Sequence, residues 1–184
     1  MAAVVHHRFT VDDYERMIDQ GILTENERVE LIRGEIVEKM VIGPPHSAAV
    51  KRINRLLTTT LSFAIVSVKD PIVLSDSEPE PDIALLVPRD DFYASSKPKA
   101  CDVLLVIEVA DCSLAYDREV KLPLYAQAGI QELWIVNLNE SKVEVYRQPQ
   151  LSGSYQSRVD LGRGETLVAL AFPEVRFQID SVLG

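Results

Sequence analysis

The spacing of apolar and polar residues changes along the chain, and each change predicts a different element of secondary structure. Between residues 46 and 61, in HSAAVKRINRLLTTTL, apolar side chains recur every three or four positions, which predicts an amphipathic helix. The segments DIALLVP (82–88) and DVLLVIEVA (102–110) are almost continuously apolar, which is typical of central strands covered on both faces. RVELIRGEIVEKMV (28–41) alternates on both sides of Arg33-Gly34, which predicts a β-hairpin.

Shorter patterns complete the predicted order of elements. FTVDDYERMIDQG (9–21) predicts a short helix that Thr10 caps and Gly21 ends, and CSLAYDREVKLPLYAQAG (112–129) predicts a helix with a kink near Pro123. Strand-like segments lie at 63–68, 71–75 and 131–138, with an antiparallel C-terminal extension at 142–148, 154–161, 165–170 and 175–179. The order from 46 to 138 is helix, three strands, helix, strand. Because both helices must bury a face against the sheet, the predicted fold class is α/β or α+β with a mixed central sheet.

Length and composition narrow the class of protein. A chain of 184 residues suits one domain, so residues 1–184 are expected to form a single domain. The net charge of −9 argues against a protein that coats DNA through charge alone, although it leaves local contact with nucleic acid open. Cys101 and Cys112 have no zinc-binding spacing, and no signal peptide or membrane-spanning run is evident. We therefore expect a cytoplasmic protein with no membrane partner.

Two acidic residues stand where a charge is costly. Asp82 opens the first central strand, and Glu108 interrupts the second near its end. If these strands are adjacent and antiparallel, the two carboxylates meet at one edge of the sheet and repel unless a proton or cation lies between them. Mg²⁺ would resolve this repulsion, with the backbone carbonyl of Val109 as a further ligand. The alternative is that Asp82 is a turn residue and Glu108 pairs with an arginine or faces solvent.

Other polar residues allow both a functional and a structural interpretation. Lys121 follows Glu108 by 13 residues and could reach the same corner, but on spacing alone an i,i+4 pair with Asp117 is favoured. Glu30 is expected to face solvent. His46, at a helix start, could contact phosphate or act as a base near neutral pH, but a structural role is favoured. Glu78 and Glu80 are expected to be solvated.

Four segments, in this order, resemble one known family. PEPDIALLV (79–87), EVADCSLAYD (108–117), KLPLYAQAGI (121–130) and ELWIV (132–136) are similar to the Uma-type restriction endonuclease family, within the PD-(D/E)XK nuclease superfamily. The similarity covers most of the chain, including RVELIRGEIVE and GPPHSAAVKRINRLL upstream.

The resemblance implies a restriction endonuclease-like αβββαβ core and a specific set of site residues. Asp82 and Glu108 correspond to the two metal-binding acids. The lysine usually found two positions after the second acid is replaced here by Ala110, and the resemblance assigns its role to Lys121. Glu30 and His46 match further polar positions of the family, so they are expected in the site.

The reaction implied is hydrolysis of DNA phosphodiester bonds that depends on Mg²⁺ or Mn²⁺. Candidate DNA phosphate contacts are Lys51, Arg52 and Arg55, which could equally be a solvated helix face.

Two alternative functions remain open. The net charge and the absence of lysine at 110 also suit a non-catalytic DNA-binding or regulatory module on a nuclease fold. The alternating C-terminal half would also suit a self-associating accessory protein, and a homodimer is expected.

Overall fold

The computed structural model describes residues 6–24 and 26–184, and its central feature is a six-stranded mixed sheet. Its strands, in spatial order, are β3 (Ile65–Ser67), β4 (Ile83–Leu86), β5 (Val103–Ala110), β6 (Glu132–Asn137), β7 (Lys142–Gln150) and β8 (Ser154–Gly162). Neighbouring strands pair antiparallel except β5 and β6, which are parallel. A parallel pair needs a crossover connection, and the helical segment after β5 supplies it. The fold is therefore the predicted α+β class with a mixed central sheet.

The elements before the sheet follow the sequence pattern closely. They are α1 (Val11–Asp19), β1 (Val29–Ile32), β2 (Glu35–Glu38) and α2 (Pro44–Thr60). The Thr10 side chain accepts the Asp13 N–H at 3.1 Å, which caps α1 as predicted. Arg33 and Gly34 join β1 to β2 with φ angles of 51° and 76°, and two positive φ values in a two-residue loop are typical of a type I′ hairpin turn.

Helices cover both faces of the sheet, as the continuously apolar strands predicted. On one face, α2 and the C-terminal helix α5 (Ile179–Leu183) pack against a cluster that contains Ile83, Leu105 and Ile107. On the other face, Ala84, Val106 and Ala110 pack with residues of the crossover, among them Leu124 and Tyr125. Successive residues of β4 and β5 thus point to opposite faces, with apolar cover on both.

The crossover is less regular than the single kinked helix that the pattern predicted. It consists of α3 (Leu114–Tyr116), a π-helical turn (Asp117–Lys121) and α4 (Leu122–Gln127). Pro123 lies in the first turn of α4, where its missing N–H is tolerated, and the wider turn comes immediately before it. The irregularity therefore falls where the sequence placed the kink, and it contains Lys121.

Two predictions about strands are wrong. Residues 71–75 form no strand: Val73 makes a single bridge to Lys99, because Pro71 lacks a donor and the chain turns at Lys69. At the C-terminus, only β7 and β8 extend the sheet. The strands β9 (Thr166–Leu167) and β10 (Phe177–Gln178) pair with each other in a separate small sheet. Across residues 6–24 and 26–184, no helix combines the length and apolar character needed to cross a membrane.

Candidate active site

The start of β4 and the end of β5 bring Asp82 and Glu108 together. The antiparallel register pairs Ile83 with Ile107, so the next position on each strand places the two acids side by side. The Asp82 N–H donates to Glu108 Oε2 at 3.3 Å, and the Val109 N–H donates to Asp82 Oδ2 at 2.8 Å. Both acids are buried, with exposed fractions of 9% for Asp82 and 2% for Glu108. The structure thus gives the arrangement that the strand patterns predicted.

Lys121 points at Glu108. Its Nζ donates to Glu108 Oε1 at 3.1 Å and to the backbone carbonyl of Glu80 at 3.3 Å, and it lies 3.9 Å from Glu30 Oε2. The Tyr125 hydroxyl donates to the same Glu108 oxygen at 2.6 Å. The π-helical turn carries Lys121 at its end, directly under the edge of β5 where Glu108 lies. The i,i+4 pair with Asp117 that spacing favoured is therefore not the contact that Lys121 makes.

Glu30 is buried, so the expectation of a solvent-facing side chain is wrong. It is 3% exposed because the hairpin packs against the segment before β4, where Leu31 bridges to Glu78. Glu30 Oε2 accepts the Glu80 N–H at 3.1 Å, and Glu30 Oε1 accepts the Tyr116 hydroxyl at 3.3 Å. The hairpin thus supplies a third carboxylate close to the central pair.

His46, in the first turn of α2, contacts Asp82. Its Nε2 lies 2.9 Å from Asp82 Oδ2. Its Nδ1 is buried and has no hydrogen-bond partner within the described part of the chain. Pro44 and Pro45 begin α2 just before it, and the rigid start of the helix aims the imidazole at the sheet edge.

Several side chains around the pair were missed or misjudged in the sequence. Asp117 is buried beside the site and accepts the Ser113 hydroxyl at 2.6 Å, and Lys69 Nζ lies 3.3 Å from Asp82 Oδ1. Glu80 binds Lys39 at 2.6 Å, and Glu78, expected in solvent, is 2% exposed. Asp117 carried a usable signal, since it lies one helical turn before Lys121. Lys69 carried none, because a turn outside the strand pattern brings it to Asp82.

Burial and mutual repulsion dominate the electrostatics of the carboxylates. Burial raises the pKa of Glu108 to about 8; Lys121 opposes this rise and the nearby Asp82 charge adds to it. Burial also raises the pKa of Asp117 to about 6. For Asp82, burial would raise the pKa, but the hydrogen bond to His46, the His46 charge, the Val109 N–H and Lys69 outweigh it and lower the pKa.

Lys121 stays charged despite its burial. Burial alone would lower the pKa of its ammonium, but the surrounding carboxylates, with Glu108 first and Glu30 next, raise it well above its ordinary value. The interior of the site therefore holds one buried ammonium among several acids. A further cation would favour the ionised form of Glu108, whose pKa burial raises, and would offset the nearby Asp82 charge that adds to this rise.

These residues line a cavity of about 220 Å³ that opens to solvent. Its floor is formed by buried acids and Lys121, and its wall includes the more exposed cations Arg28, Lys39 and Lys69. Acidic side chains thus lie deep and basic side chains lie nearer the mouth. Such an arrangement can accept a metal ion at its floor and an anionic group above it.

The donors at the floor suit a hard divalent cation. Within the described residues, no three His, Cys, Asp or Glu side chains converge in a way that would hold a metal ion. Asp82 and Glu108 could hold Mg²⁺ as a pair of carboxylates, since Mg²⁺ commonly takes one or two and completes its shell with water and substrate oxygens. The Val109 N–H faces Asp82, and the carbonyl of a strand residue points to the same side as its N–H, so this carbonyl is placed to join them.

The basic residues predicted on α2 lie away from this cavity. Lys51 and Arg55 are exposed, and neither they nor Arg52 line the cavity wall. The Arg52 guanidinium donates to the Leu183 carbonyl at 2.7 Å, so it holds the C-terminal helix against α2. Arg52 thus has a structural partner that the sequence pattern did not show.

Comparison with known proteins shows the family of the chain and agrees with its fold. A family model, Uma2, described as "Putative restriction endonuclease", matches residues 11–180. The chain belongs to this family. The predicted resemblance is thereby confirmed, and the Uma2 match spans all the side chains of the site.

A solved structure shows the same fold. The crystal structure of a "putative nuclease belonging to DUF820" from Anabaena variabilis superposes with a TM-score of 0.73 at 19% sequence identity, covering 95% of this chain and 97% of that one. At this identity the likeness concerns the fold alone. No curated protein sequence matches the chain.

Proposed function

We propose that this Uma2 protein is an endonuclease that hydrolyses DNA phosphodiester bonds with the help of Mg²⁺ or Mn²⁺ bound at Asp82 and Glu108. The observation that carries the proposal is the meeting of these two buried carboxylates at one sheet edge, with Lys121 donating to Glu108. When bound there, the ion would polarise the phosphate and lower the pKa of an attacking water. The Uma2 family description supports the nuclease class.

Each neighbouring side chain has a role that follows from its contacts. His46 and the Val109 N–H both bind Asp82 Oδ2, which orients this carboxylate. Lys121 and Tyr125 both bind Glu108 Oε1, which orients the second. Glu30 lies near the Lys121 ammonium, and so keeps the charge of the lysine balanced when Glu108 shares its own charge with an ion. From its fixed position the Lys121 ammonium also adds positive charge at the floor of the cavity, below the place where a phosphate would bind.

The test is cleavage of supercoiled plasmid DNA by the full chain with Mg²⁺, with Mn²⁺ and with EDTA. The wild type should nick the plasmid only with metal. Asp82→Asn should lower the rate on the order of 100-fold, the size of losses seen when a transition-state contact is removed. Asp90→Asn is the matched control, because Asp90 is exposed and lies outside the cavity wall. Equal rates for the two variants would refute the proposal.

One observation favours a second candidate, a DNA-binding or regulatory module that does not cut. Position 110, where the superfamily usually carries its lysine, is a fully buried alanine within the apolar core. Binding of duplex DNA by the wild type without any nicking, under both metals, would favour this second candidate. The expected homodimer stays a prediction, which sedimentation of the full chain would test.

A further inference from the structure

Lys69 occupies an unusual position for a lysine. It follows β3 with a φ of 58°, in the left-handed region that non-glycine residues seldom adopt. Its N–H donates to the Asp82 carbonyl at 3.2 Å, and Ser67 holds the turn by donating to Asp70 Oδ2 at 2.7 Å. The backbone is thus fixed beside Asp82 in a conformation that glycine or asparagine would adopt at lower cost. A strained backbone beside a candidate site points to a use for the side chain that it carries.

The Lys69 ammonium contacts the face of Asp82 that the other partners leave open. His46 Nε2 and the Val109 N–H both bind Asp82 Oδ2. Lys69 Nζ lies 3.3 Å from the other oxygen, Oδ1. A cation or substrate that approaches Asp82 from the cavity therefore meets the Oδ1 side and displaces Lys69 rather than the two groups that orient the carboxylate.

The Lys121 side chain is held in place and cannot move toward a bound substrate. An ammonium has three donors, and the Lys121 group faces Glu108 Oε1, the Glu80 carbonyl and Glu30 Oε2 while lying almost wholly buried. The Lys69 side chain is 36% exposed and borders the same cavity. Of the two lysines that pair with the central acids, Lys69 is the one that can reach a phosphate without breaking a buried network.

We propose that Lys69 is a second, substrate-binding cation of the site. In the free protein its ammonium neutralises Asp82, and when DNA binds it moves to a non-bridging oxygen of the phosphate at the cavity mouth. Lys121 meanwhile remains a positioning residue that holds Glu108. This division between two lysines rests on the proposed function, because it assigns the phosphate contact within the same site.

Loss of the Lys69 ammonium should affect DNA binding and metal binding differently. Loss of the Lys69 ammonium removes one phosphate contact, so DNA binding should weaken. The same loss removes a positive charge that competes with a metal ion for Asp82, so Mn²⁺ should bind at least as tightly as before. A purely structural role for Lys69 would instead weaken both kinds of binding together with stability.

The decisive variants are Lys69→Asn, which tolerates the left-handed backbone but removes the charge, and Lys69→Arg, which keeps the charge. Lys99→Asn is the matched control, since Lys99 is exposed and precedes the end of β5 farthest from Glu108. DNA affinity is measured by fluorescence anisotropy with a random-sequence duplex, at several salt concentrations and with EDTA, so that cleavage does not interfere and Glu108 still holds Lys121 in place. Mn²⁺ affinity is measured by calorimetry without DNA.

We expect Lys69→Asn to weaken DNA binding about tenfold at low salt, as for one charge-assisted hydrogen bond, and to reduce the salt slope by about 0.9. Lys69→Arg should restore both, and Mn²⁺ affinity should not fall in Lys69→Asn. An unchanged salt slope in Lys69→Asn, or an equal change in Lys99→Asn, would overturn the inference. Failure of the wild type to nick plasmid would overturn the proposed function separately, because the binding measurements do not depend on cleavage.

Discussion

Glu108 should make the protein less stable as the pH rises, and the change can be worked out from its burial. Its folded pKa is about 8 against an ordinary value of 4.5, because burial disfavours the charged form. The unfolded chain therefore releases this proton more readily than the folded one. A carboxyl with a raised folded pKa contributes its stability in full below pH 4.5 and loses it as the pH rises through 8.

The size of this loss follows from the difference in the Glu108 pKa between the two states. Each pKa unit corresponds to about 1.4 kcal/mol, so the Glu108 carboxyl should lower the free energy of unfolding by about 3–4 kcal/mol between pH 5 and pH 8. Above about pH 9 the carboxyl is ionised in both states, and the loss levels off.

The measurement is urea unfolding of the wild type and of Glu108→Gln, at intervals from pH 5 to pH 9, with EDTA present. Gln cannot ionise, so the wild-type stability relative to that of the variant should fall steadily to pH 8. Other titrating groups, such as Asp117, affect both proteins and largely cancel in the difference. Glu174→Gln, which replaces an exposed carboxylate, should leave the wild-type pH profile unchanged.

Adding Mn²⁺ extends the same experiment to the proposed metal site. A carboxylate must lose its proton to bind an ion, so Mn²⁺ should stabilise the wild type more at pH 8 than at pH 5. Glu108→Gln should show much less of this gain. A wild-type stability that stays constant or rises relative to Glu108→Gln, with EDTA present, would refute the reasoning about burial.

Two further predictions concern other parts of the structure. Lys121→Met should lower the free energy of unfolding by about 3 kcal/mol, measured by urea titration at pH 7, because it leaves the buried Glu30 without its nearby ammonium. A loss under about 1 kcal/mol would contradict the proposed charge balance between Lys121 and Glu30. Gly34→Ala should lower the melting temperature by more than Gly164→Ala, although both glycines have positive φ angles. An added Cβ at Gly34 would lie 2.8 Å from Arg8 Cβ, whereas an added Cβ at Gly164 would meet open space. Equal decreases in the two melting temperatures would show that Arg8 does not lie as close to Gly34 as the structure places it.

Much of the fold was predictable from local patterns, because periodicity reports directly on which side of an element is buried. The hairpin around Gly34, the helix α2 and the central strands β4 and β5 all lie where their patterns placed them. The failure at residues 71–75 has a physical cause. Residues 71–75 have the composition of a strand, but strand formation needs a partner edge, and the turn at Lys69 leads the chain away from one. Composition alone does not report the availability of a partner.

The candidate site also has a part that sequence patterns predicted and a part that they did not. The meeting of Asp82 and Glu108 could be predicted from the sequence, because a carboxylate in an apolar strand is costly and two such strands placed side by side bring the acids together. Lys121 could be placed beside them only through the family resemblance, since its spacing favoured a pair with Asp117. The burial of Glu30 depends on how the hairpin docks against the segment before β4, and no pattern within the hairpin encodes that docking.

The sequence by itself thus determined the central strands, the helix α2, the helical crossover and the two acids at the sheet edge, because each depends on periodicity or on the cost of burying a charge. Tertiary structure alone decided which groups surround those acids. The π-helical turn aims Lys121 at Glu108, and the left-handed turn brings Lys69 to Asp82. These contacts join segments far apart in the chain, and their geometry exists only once the sheet, hairpin and crossover have packed together.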